Sequence, residues 1–355
     1  MIQYILIMSS VKKVKIGNIR IGDGEKIAVQ SMATTKLENV SESVAQSLRL
    51  QNAGCDIIRF SVLDEKDVKA IASVKKEISM PLVADIHFDY RLALSCIDGG
   101  ADKIRINPGN IGGEDKVKEV AAALRGKGIP VRVGSNTGSI EKEFLEKYGR
   151  SYLSLAESAL KRVASLEKYG VENIVVSVKA SDVLTTIRAN EYIAGKCGYP
   201  LHIGVTEAGT EYNGVIKNSL ALGALLSRGV GDTVRVSLSA DPVREVIAAK
   251  TILADLKLIE GGAEVIACPT CGRCRWNCME FASLVEDYVK NVKKPLKIAV
   301  MGCVVNGPGE AKDADVGIAG SGESCVIFRK GVPVKTVKKE DAKQEFFGEI
   351  DKCLR

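Results

Sequence analysis

Residues 103–134 read KIRINPGNIGGEDKVKEVAAALRGKGIPVRVG, and this stretch contains the repeating unit of the fold. An apolar run at Lys103–Asn107 is followed by GEDKVKEVAAALRGKG, in which apolar residues recur at helical spacing up to a glycine. A second apolar run, Pro130–Gly134, comes next. Strand, helix and strand in this order predict a parallel βαβ unit.

The same alternation runs through most of the 355 residues, with helical stretches such as SESVAQSLRLQNAG between short β-branched runs. The predicted strands are Lys26–Ser31, Asp56–Val62, Pro81–Ile86, Lys103–Asn107, Pro130–Gly134, Asn173–Val178, Leu201–Val205 and Thr233–Leu238. Eight βα units is the number that closes a barrel of roughly 250 residues. We therefore predict an α/β fold in which a TIM (β/α)8 barrel occupies residues 1–261.

A second, small α/β domain is predicted for residues 262–355, after the pair Gly261-Gly262. It contains the helical stretch SLVEDYVKNV, the apolar strand KIAVMGCVV and further short strand candidates. An open doubly wound sheet is the competing architecture for the first domain. That architecture usually carries a glycine-rich fingerprint after its first strand, and the sequence has none there.

The composition argues against several function classes. A net charge of only +6, a single tryptophan and the lack of long like-charge blocks argue against a nucleic-acid partner. The sequence has no apolar run long enough for a transmembrane helix, so no membrane association is predicted. The N-terminal MIQYILIM lacks the features of a signal peptide, and either Met1 or Met8 can start translation. Ten cysteines without an export signal predict a cytoplasmic protein with metal-binding or catalytic thiols.

Charged and polar side chains stand at the ends of the predicted strands, where barrel enzymes place their active sites. They are Gln30, Arg59, Asp85, His87, Arg105, Asn107, Arg132, Asn136, Lys179, Asp182, Glu207, Arg235 and Ser237. Four arginines and a lysine would meet at one mouth and repel one another unless carboxylates pair with them. A small diphosphate would relieve that repulsion, since the planar fork of arginine suits phosphate oxygens. Alternatively, each arginine pairs with a carboxylate and only closes the barrel.

The roles of three residues in this region are less decisive. Glu207 is either a structural counter-ion or a proton donor to the substrate. His202, within PLHIGV, is interpreted as a core residue, and His87 is expected to face the mouth.

CPTCGRCRWNC, residues 268–278, has the spacing C-x2-C-x2-C-x3-C, which is typical of ferredoxin iron–sulfur clusters. The proline that usually follows the fourth cysteine is replaced by Met279. A closed zinc site is the alternative, but these cysteines are closer together than in a zinc ribbon. An iron–sulfur cluster fits the spacing better.

A second motif, MGCVVNGPGE at residues 301–310, places a cysteine at a strand end before a sharp turn. Together with CPTCGR, it resembles the two signatures of the 4-hydroxy-3-methylbut-2-enyl diphosphate synthase family of the non-mevalonate isoprenoid pathway. The blocks AVQSM, PLVADIHF, KIRINPGNIG, VSVKASDV, LHIGVTEAG and GDTVRVSL also look like that family. The resemblance covers nearly the whole chain.

The resemblance implies an iron–sulfur oxidoreductase with a 4Fe-4S cluster in the C-terminal domain. The matching cluster ligands are Cys268, Cys271, Cys303 and Glu310. A carboxylate is a hard ligand on a soft cluster, so the Glu310 position is expected to be exchangeable. An exchangeable iron can accept a substrate oxygen as a Lewis acid, in addition to passing electrons.

The resemblance also implies a substrate and partners. The family opens 2-C-methyl-D-erythritol 2,4-cyclodiphosphate by two-electron reduction and loss of water, with electrons from flavodoxin or ferredoxin, and bacterial members are homodimers. The catalytic residues would be Glu207 and Glu310. The residues expected to hold the substrate are Arg59, Arg105, Arg132, Asn136, Lys179, Thr206, Arg235, Ser237 and Asn306.

The chain departs from the family pattern at Cys274 and Cys278, where the family usually has no cysteine. We expect these thiols to be idle neighbours of the cluster; alternatively, they compete as ligands. A ferredoxin-like electron-transfer module on a barrel scaffold would use Cys274 as a ligand, so Cys274→Ala separates the two hypotheses. Cys55 and Cys96 are expected to be buried.

Overall fold

The computed structural model describes residues 10–107, 111–290, 292–304, 309 and 311–355. The chain divides into two compact units, the first ending at Ile259 and the second spanning Glu260–Arg355.

The first unit begins with an antiparallel hairpin and continues as alternating strands and helices. The hairpin is β1 (Val14–Ile16) and β2 (Ile19–Ile21). The barrel strands are β3 (Ala28–Met32), β4 (Ile57–Ser61), β5 (Leu82–Asp85), β6 (Lys103–Ile106), β7 (Val131–Asn136), β8 (Ile174–Lys179), β9 (His202–Ile203) and β10 (Thr233–Val234). The helices are α1 (Val40–Asn52), α2 (Glu65–Glu77), α3 (Tyr90–Asp98), α4 (Glu114–Lys127), α5 (Lys142–Tyr148), α6 (Tyr152–Glu167), α7 (Val183–Ala194), α8 (Glu211–Leu226) and α9 (Pro242–Asp255), with a 3-10 turn at Thr137–Ser139.

Eight parallel strands form a nearly closed barrel. Strands β3 to β8 pair in chain order, and β10 pairs with both β3 and β9. A single bridge between Val176 and Leu201 joins β8 to the start of β9. The predicted fold class is therefore confirmed.

The hairpin packs against the amino-terminal end of the barrel. Val14, Ile16 and Ile21 are buried together with Ala28 and Ile57, which lie at the starts of β3 and β4. Since active sites of such barrels lie at the opposite end, this layer contributes stability. No sequence pattern predicted it, because each strand is only three residues long.

Local sequence fixes the helix ends. Asp64 caps α2 by accepting hydrogen bonds from Lys66 and Asp67. Gly128 ends α4 in the left-handed region at φ 67°, which glycine adopts without steric cost. The helices bury one face against the barrel, and their inward side chains form one continuous core with the strands.

The second unit contains a five-stranded mixed sheet with helices. Its strands, in spatial order, are β11 (Ala263–Ala267), β12 (Leu296–Met301), β13 (Val316–Ser321), β14 (Ser324–Arg329) and β15 (Val332–Lys338). The first three strands are parallel, and the last two continue as an antiparallel meander. Helix α10 (Cys278–Val289) and the C-terminal helix Ala342–Leu354 bury Phe281 and Phe346 in its core.

Every predicted barrel strand overlaps an observed strand, but the last two observed strands are much shorter than predicted. The apolar run Leu201–Val205 yields only His202–Ile203, and Thr233–Leu238 yields only Thr233–Val234. Gly204, at φ 154°, interrupts the first of these runs in a conformation that side-chain-bearing residues rarely adopt. Within the described residues, no helix has the length and apolar character needed to cross a membrane.

Candidate active site

Six basic side chains, from four strands and the segment after β10, lie close together in the barrel. We call them the cation cluster; they are Arg59 on β4, Lys103 and Arg105 on β6, Arg132 on β7, Lys179 on β8, and Arg235 just after β10. The structure thus brings together the five cations that the sequence predicted. Lys103 was missed, although a signal existed: it lies two residues before Arg105 on the same strand, and strand residues at that spacing share a face.

Two carboxylates face the cation cluster. Asp85, at the end of β5, lies 3.0 Å from Arg105 Nη1 and 3.6 Å from Arg59 Nε. Glu245, on α9, lies 3.6 Å from Arg235 Nε and also accepts a hydrogen bond from the backbone N–H of Leu238. Burial alone would raise the pKa of Asp85, but Arg59, Arg105 and Arg132 together lower it below its ordinary value.

Arg132 is a buried member of the cluster with two donor atoms unpartnered within the described part of the chain. It is 3% exposed, and its Nε and Nη2 atoms have no hydrogen-bond partner among the described residues. Burial, Arg59 and Arg105 hold its pKa well below the ordinary arginine value, with Asp85 acting in the opposite direction. Buried donors without partners cost free energy. An anion at this position would give both donor atoms a partner.

Burial and neighbouring positive charges also lower the pKa values of other members of the cluster. Burial lowers the pKa of Arg59 to about 10, with Arg235 and Arg105 acting in the same direction. Burial and the neighbouring arginines also hold the pKa values of Lys103 and Lys179 well below normal. A polyanion would stabilise the charged form of all these groups at once.

Met32, at the end of β3, adds an uncharged surface to the cluster. Its sulfur lies 2.6 Å from Arg59 Nη2 and 3.7 Å from Arg235 Nη1. Thioether sulfur is only a weak acceptor, so it separates the two guanidinium groups without neutralising them.

Glu207 stands on the loop after β9 with φ at 51°, a left-handed conformation that is uncommon for a residue other than glycine. The surrounding loop is tied down by Val205 N–H donating to Asn218 and by Thr206 N–H donating to Ala180 O. Such conformations persist where the surroundings enforce them, and they occur frequently at functional sites. The Glu207 side chain is exposed at this end of the barrel.

The remaining predicted residues of the barrel fall into two groups. Asn136 ends β7 and Ser237 follows β10, both partly exposed at the same end of the barrel. His87 Nε2 lies 3.7 Å from Asp85, as expected for a residue near the mouth. Asp182 instead caps α7, because its carboxylate accepts a hydrogen bond from Thr185 N–H.

In the second unit, the parallel strands β11 and β12 bring two cysteine-bearing segments to one sheet edge. Ala267 pairs with Val300 near the ends of these two neighbouring strands. Cys268 follows the end of β11, and Cys303 follows the end of β12. Gly302 N–H donates to Cys268 Sγ at 3.0 Å. Cys271 is exposed, and hydrogen bonds from Arg273 lower the pKa of its thiol.

Cys274 and Cys278 pack against this same edge. A Cβ atom on Gly302 would lie 2.9 Å from Cys274 Sγ and 3.3 Å from Cys268 Sγ, so only glycine fits between these sulfurs. Cys274 Sγ also lies 3.6 Å from Cys278 Sγ. Burial, together with Cys274 and Cys268, raises the pKa of Cys278 to about 12.

Trp276 fastens this loop to the sheet. Its Nε1 donates to Met301 O, and its indole ring lies on Gly320, where a Cβ atom would be 2.3 Å from Trp276 Cδ1. The position of the loop beside β12 therefore depends on a tryptophan and two glycines. No sequence pattern predicted this role of Trp276.

The cysteines at this edge fit an iron–sulfur cluster, because thiolates are soft ligands. They bind iron–sulfide clusters more readily than they bind hard cations such as magnesium or calcium. Among the described residues, no three histidine, cysteine or acidic side chains are already grouped as a metal site. The predicted residues Asn306 and Glu310 lie outside the described residues. Cys55 and Cys96 of the barrel are buried, as the sequence predicted.

Comparison with known proteins gives matches over both units. The family described as the GcpE TIM-barrel domain matches residues 11–250, and the GcpE protein C-terminal domain matches residues 264–352. A protein of Thermotoga petrophila is 56% identical over 329 residues, covering 93% of this chain and 94% of the relative. One of Caldanaerobacter subterraneus is 52% identical over 345 residues, covering 97% of each. Both are named 4-hydroxy-3-methylbut-2-en-1-yl diphosphate synthase (flavodoxin).

Solved structures add a likeness of fold. Dihydropteroate synthase from Xanthomonas albilineans matches with a TM-score of 0.51 at 14% identity, covering 69% of this chain and 97% of that one. A truncated 3-deoxy-D-arabino-heptulosonate 7-phosphate synthase from Thermotoga maritima matches with a TM-score of 0.51 at 13% identity, covering 70% and 94%. At such identities the likeness concerns the barrel fold alone.

Proposed function

This chain belongs to the GcpE family, and we propose that it is a 4-hydroxy-3-methylbut-2-enyl diphosphate synthase. It opens the ring of 2-C-methyl-D-erythritol 2,4-cyclodiphosphate, taking up two electrons and two protons and releasing water. The product is 4-hydroxy-3-methylbut-2-enyl diphosphate.

The observation that carries this proposal is the cation cluster in a chain of this family. Within the described part of the chain, two carboxylates, Asp85 and Glu245, face the six cations, and the donors Nε and Nη2 of Arg132 have no hydrogen-bond partner. A cyclic diphosphate supplies the missing negative charge, and its oxygens match the planar donors of arginine. The binding of a diphosphate follows from charge balance as well as from family membership.

The residues of the barrel have distinct proposed roles. The diphosphate-binding set is Arg59, Arg105, Arg132, Asn136, Lys179, Arg235 and Ser237. Thr206 and Glu207 face the reacting carbons, and Glu207 is the proton donor. Its enforced left-handed backbone holds the carboxyl group on a fixed loop, which supports a role in positioned proton transfer.

In the second unit, Cys268, Cys271 and Cys303 would hold a 4Fe-4S cluster, with Glu310 as the fourth ligand, and Asn306 is assigned to substrate binding. When bound, the cluster supplies two electrons and a Lewis-acidic iron. Gly302 N–H donates to Cys268 Sγ, and such a hydrogen bond stabilises a thiolate ligand. We propose residues 1–261 as the substrate domain and 262–355 as the cluster domain.

Partners and location complete the proposal. Flavodoxin or ferredoxin delivers the electrons, and the protein is a homodimer in the cytoplasm. The name of the relatives supports flavodoxin. The ten free thiols support a reducing compartment.

Anaerobic purification and assay test the proposed function. We expect a brown protein with about four irons and four acid-labile sulfides per chain, and reduction of the cyclic diphosphate with reduced flavodoxin. Cys303→Ala should lose activity. Cys274→Ala, the matched control on the same sheet edge, should keep both cluster and activity.

Two outcomes would contradict the proposal. One is full activity in Cys303→Ala. The other is zinc in place of iron and sulfide. Loss of the cluster in Cys274→Ala would instead favour the ferredoxin-like module.

A further inference from the structure

A chain of buried side chains extends behind Lys179. Lys179 Nζ lies 3.2 Å from His202 Nε2, and His202 Nδ1 lies 2.7 Å from Thr233 Oγ1. His202 and Thr233 are fully buried, and Lys179 is 7% exposed. The three residues come from β8, β9 and β10, which are neighbours in the barrel.

Gly204 provides the space for this arrangement. A Cβ atom at position 204 would lie 2.9 Å from Lys179 Nζ and 2.2 Å from the carbonyl oxygen of Arg235. The lysine end group is thus confined between His202 and the backbone beside Gly204. Other members of the cation cluster lie close enough to lower the pKa of this amine.

Hydrogen-bond chemistry decides the tautomer of His202. A lysine ammonium has three donors and no acceptor, so His202 Nε2 must be unprotonated to accept from it. Nδ1 then carries the hydrogen and donates to Thr233 Oγ1. Burial and the nearby Lys179 hold the pKa of His202 well below its ordinary value, which agrees with a neutral ring.

We propose that His202 is a positioning residue, which accepts one N–H of Lys179 and thereby directs the other two at the bound diphosphate. Thr233 fixes the tautomer that makes this possible. This inference rests on the proposed function in placing the diphosphate at Lys179. It assigns the histidine a role in substrate binding that neither its burial nor its sequence context indicated.

The charged groups around Lys179 lead to a pH test. They are Arg132 on β7, Arg59 on β4, Arg235 after β10 and Glu245 on α9, together with the ring of His202. The cations and burial lower the pKa of Lys179, whereas Glu245 raises it. Removing the acceptor on His202 would destabilise the ammonium further. The alkaline limit of diphosphate binding should then move to lower pH.

The experiment compares His202→Leu, His202→Gln, Thr233→Val and Ser177→Ala in the anaerobic holoenzyme. His202→Leu should raise KM and the Kd of the cyclic diphosphate about tenfold, as expected for one lost hydrogen bond to a charged group, with a smaller effect on kcat. His202→Gln should recover most of that loss, because its side-chain carbonyl can accept from Lys179. Thr233→Val should change Kd in the same direction.

Ser177→Ala is the matched control. Ser177 is buried on β8, two residues before Lys179, but its hydroxyl donates to the backbone carbonyl of His202 and makes no contact with the ring. It should keep the wild-type Kd and alkaline limit. If His202→Leu does not fold, Thr233→Val against Ser177→Ala gives the same comparison.

The outcomes separate this inference from the proposed function. Equal Kd and equal alkaline limits in the wild type, the His202 variants and Thr233→Val would overturn the inference. A wild-type protein that neither binds nor reduces the cyclic diphosphate would contradict the proposed function. Pyrophosphate, used as a second probe, would then still report on the His202–Lys179 pair through the same variants.

Discussion

Arg132 and Arg162 are both buried arginines, each 3% exposed, yet their surroundings differ. Arg162 donates to Glu141 at 2.9 Å, to Gly134 O at 3.1 Å and to Ser139 O. Arg132 leaves two donor atoms without partners in the described part of the protein. Arg162 is therefore interpreted as a structural residue, and Arg132 belongs to the proposed diphosphate site.

This contrast predicts opposite effects of the same substitution. Arg132→Met should keep or raise the free energy of unfolding, by up to about 3 kcal/mol, because an uncompensated charge leaves the interior. It should also raise KM about 10- to 100-fold, since hydrogen bonds to the charged ligand are lost. Chemical denaturation and steady-state kinetics measure the two quantities.

Arg162→Met is the matched control and should lower the free energy of unfolding by about 2–4 kcal/mol, because Glu141 and two carbonyl groups lose their donor. If Arg132→Met is the more destabilising of the two, the interpretation of the cation cluster as a ligand site is wrong.

Asp85 gives a pH-dependent prediction. Its folded-state pKa lies below the ordinary value, so the charged carboxylate contributes stability above the unfolded-state pKa of about 3.9. That contribution is lost as the pH falls through the folded-state pKa. Asp85→Asn should therefore lower the free energy of unfolding by about 3 kcal/mol at neutral pH, and the difference from wild type should shrink at acid pH.

Denaturation series from neutral pH down to about pH 2.5 measure this difference. Glu264→Gln, at an exposed strand residue of the second unit, is the control variant in the same series. A gap between Asp85→Asn and wild type that stays constant across the series would rule out the proposed charge balance.

At the scale of elements, the end of β9 depends on one glycine. Gly204 has φ at 154°, and a Cβ atom there would lie 2.2 Å from Arg235 O, a backbone atom that cannot move aside cheaply. Gly204→Ala should therefore lower the free energy of unfolding by about 2–4 kcal/mol. It should also weaken diphosphate binding, since Lys179 Nζ lies 2.9 Å from the same Cβ position.

Gly223 provides the control for that substitution. It lies inside α8, and a Cβ atom there meets nothing within 4 Å. Gly223→Ala should be neutral or stabilising by up to about 1 kcal/mol, because alanine favours the helix. Thermal melts of both variants give the comparison, and equal melting temperatures would contradict it.

Strands and helices were predictable where their apolar residues follow a regular pattern along the sequence. The βα alternation gave all eight barrel strands, because parallel strands buried on both faces are continuous apolar runs. The β1–β2 hairpin was not predicted, since three-residue strands carry too little pattern. The early ends of β9 and β10 also had no local signal, because pairing with neighbouring strands decides where a ladder stops.

For the whole molecule, the two units have separate hydrophobic cores. The large core of the barrel contains residues only up to Leu253 among its buried members, and the core of the second unit begins at Cys278. A chain ending at Ile259 should therefore fold by itself, with a cooperative thermal transition that pyrophosphate shifts upward. Calorimetry with and without pyrophosphate measures this.

Such a truncated chain lacks residues 268–278 and Cys303, so it should contain no iron after reconstitution. The full-length protein under the same treatment is the control. A truncated chain that unfolds without a cooperative transition would show that the barrel depends on the second unit.

The amino-acid sequence by itself determined the barrel, the second domain, five of the cations in the barrel and the thiols of the two cysteine motifs. These features depend on residue patterns and spacings within short segments, which can be read from the sequence alone. Only the tertiary structure decided that Lys103 joins the cations, that Glu245 reaches them from a helix, and that His202 lies against Lys179. Such contacts join residues far apart in the chain, and packing, burial and charge at one point in space select them.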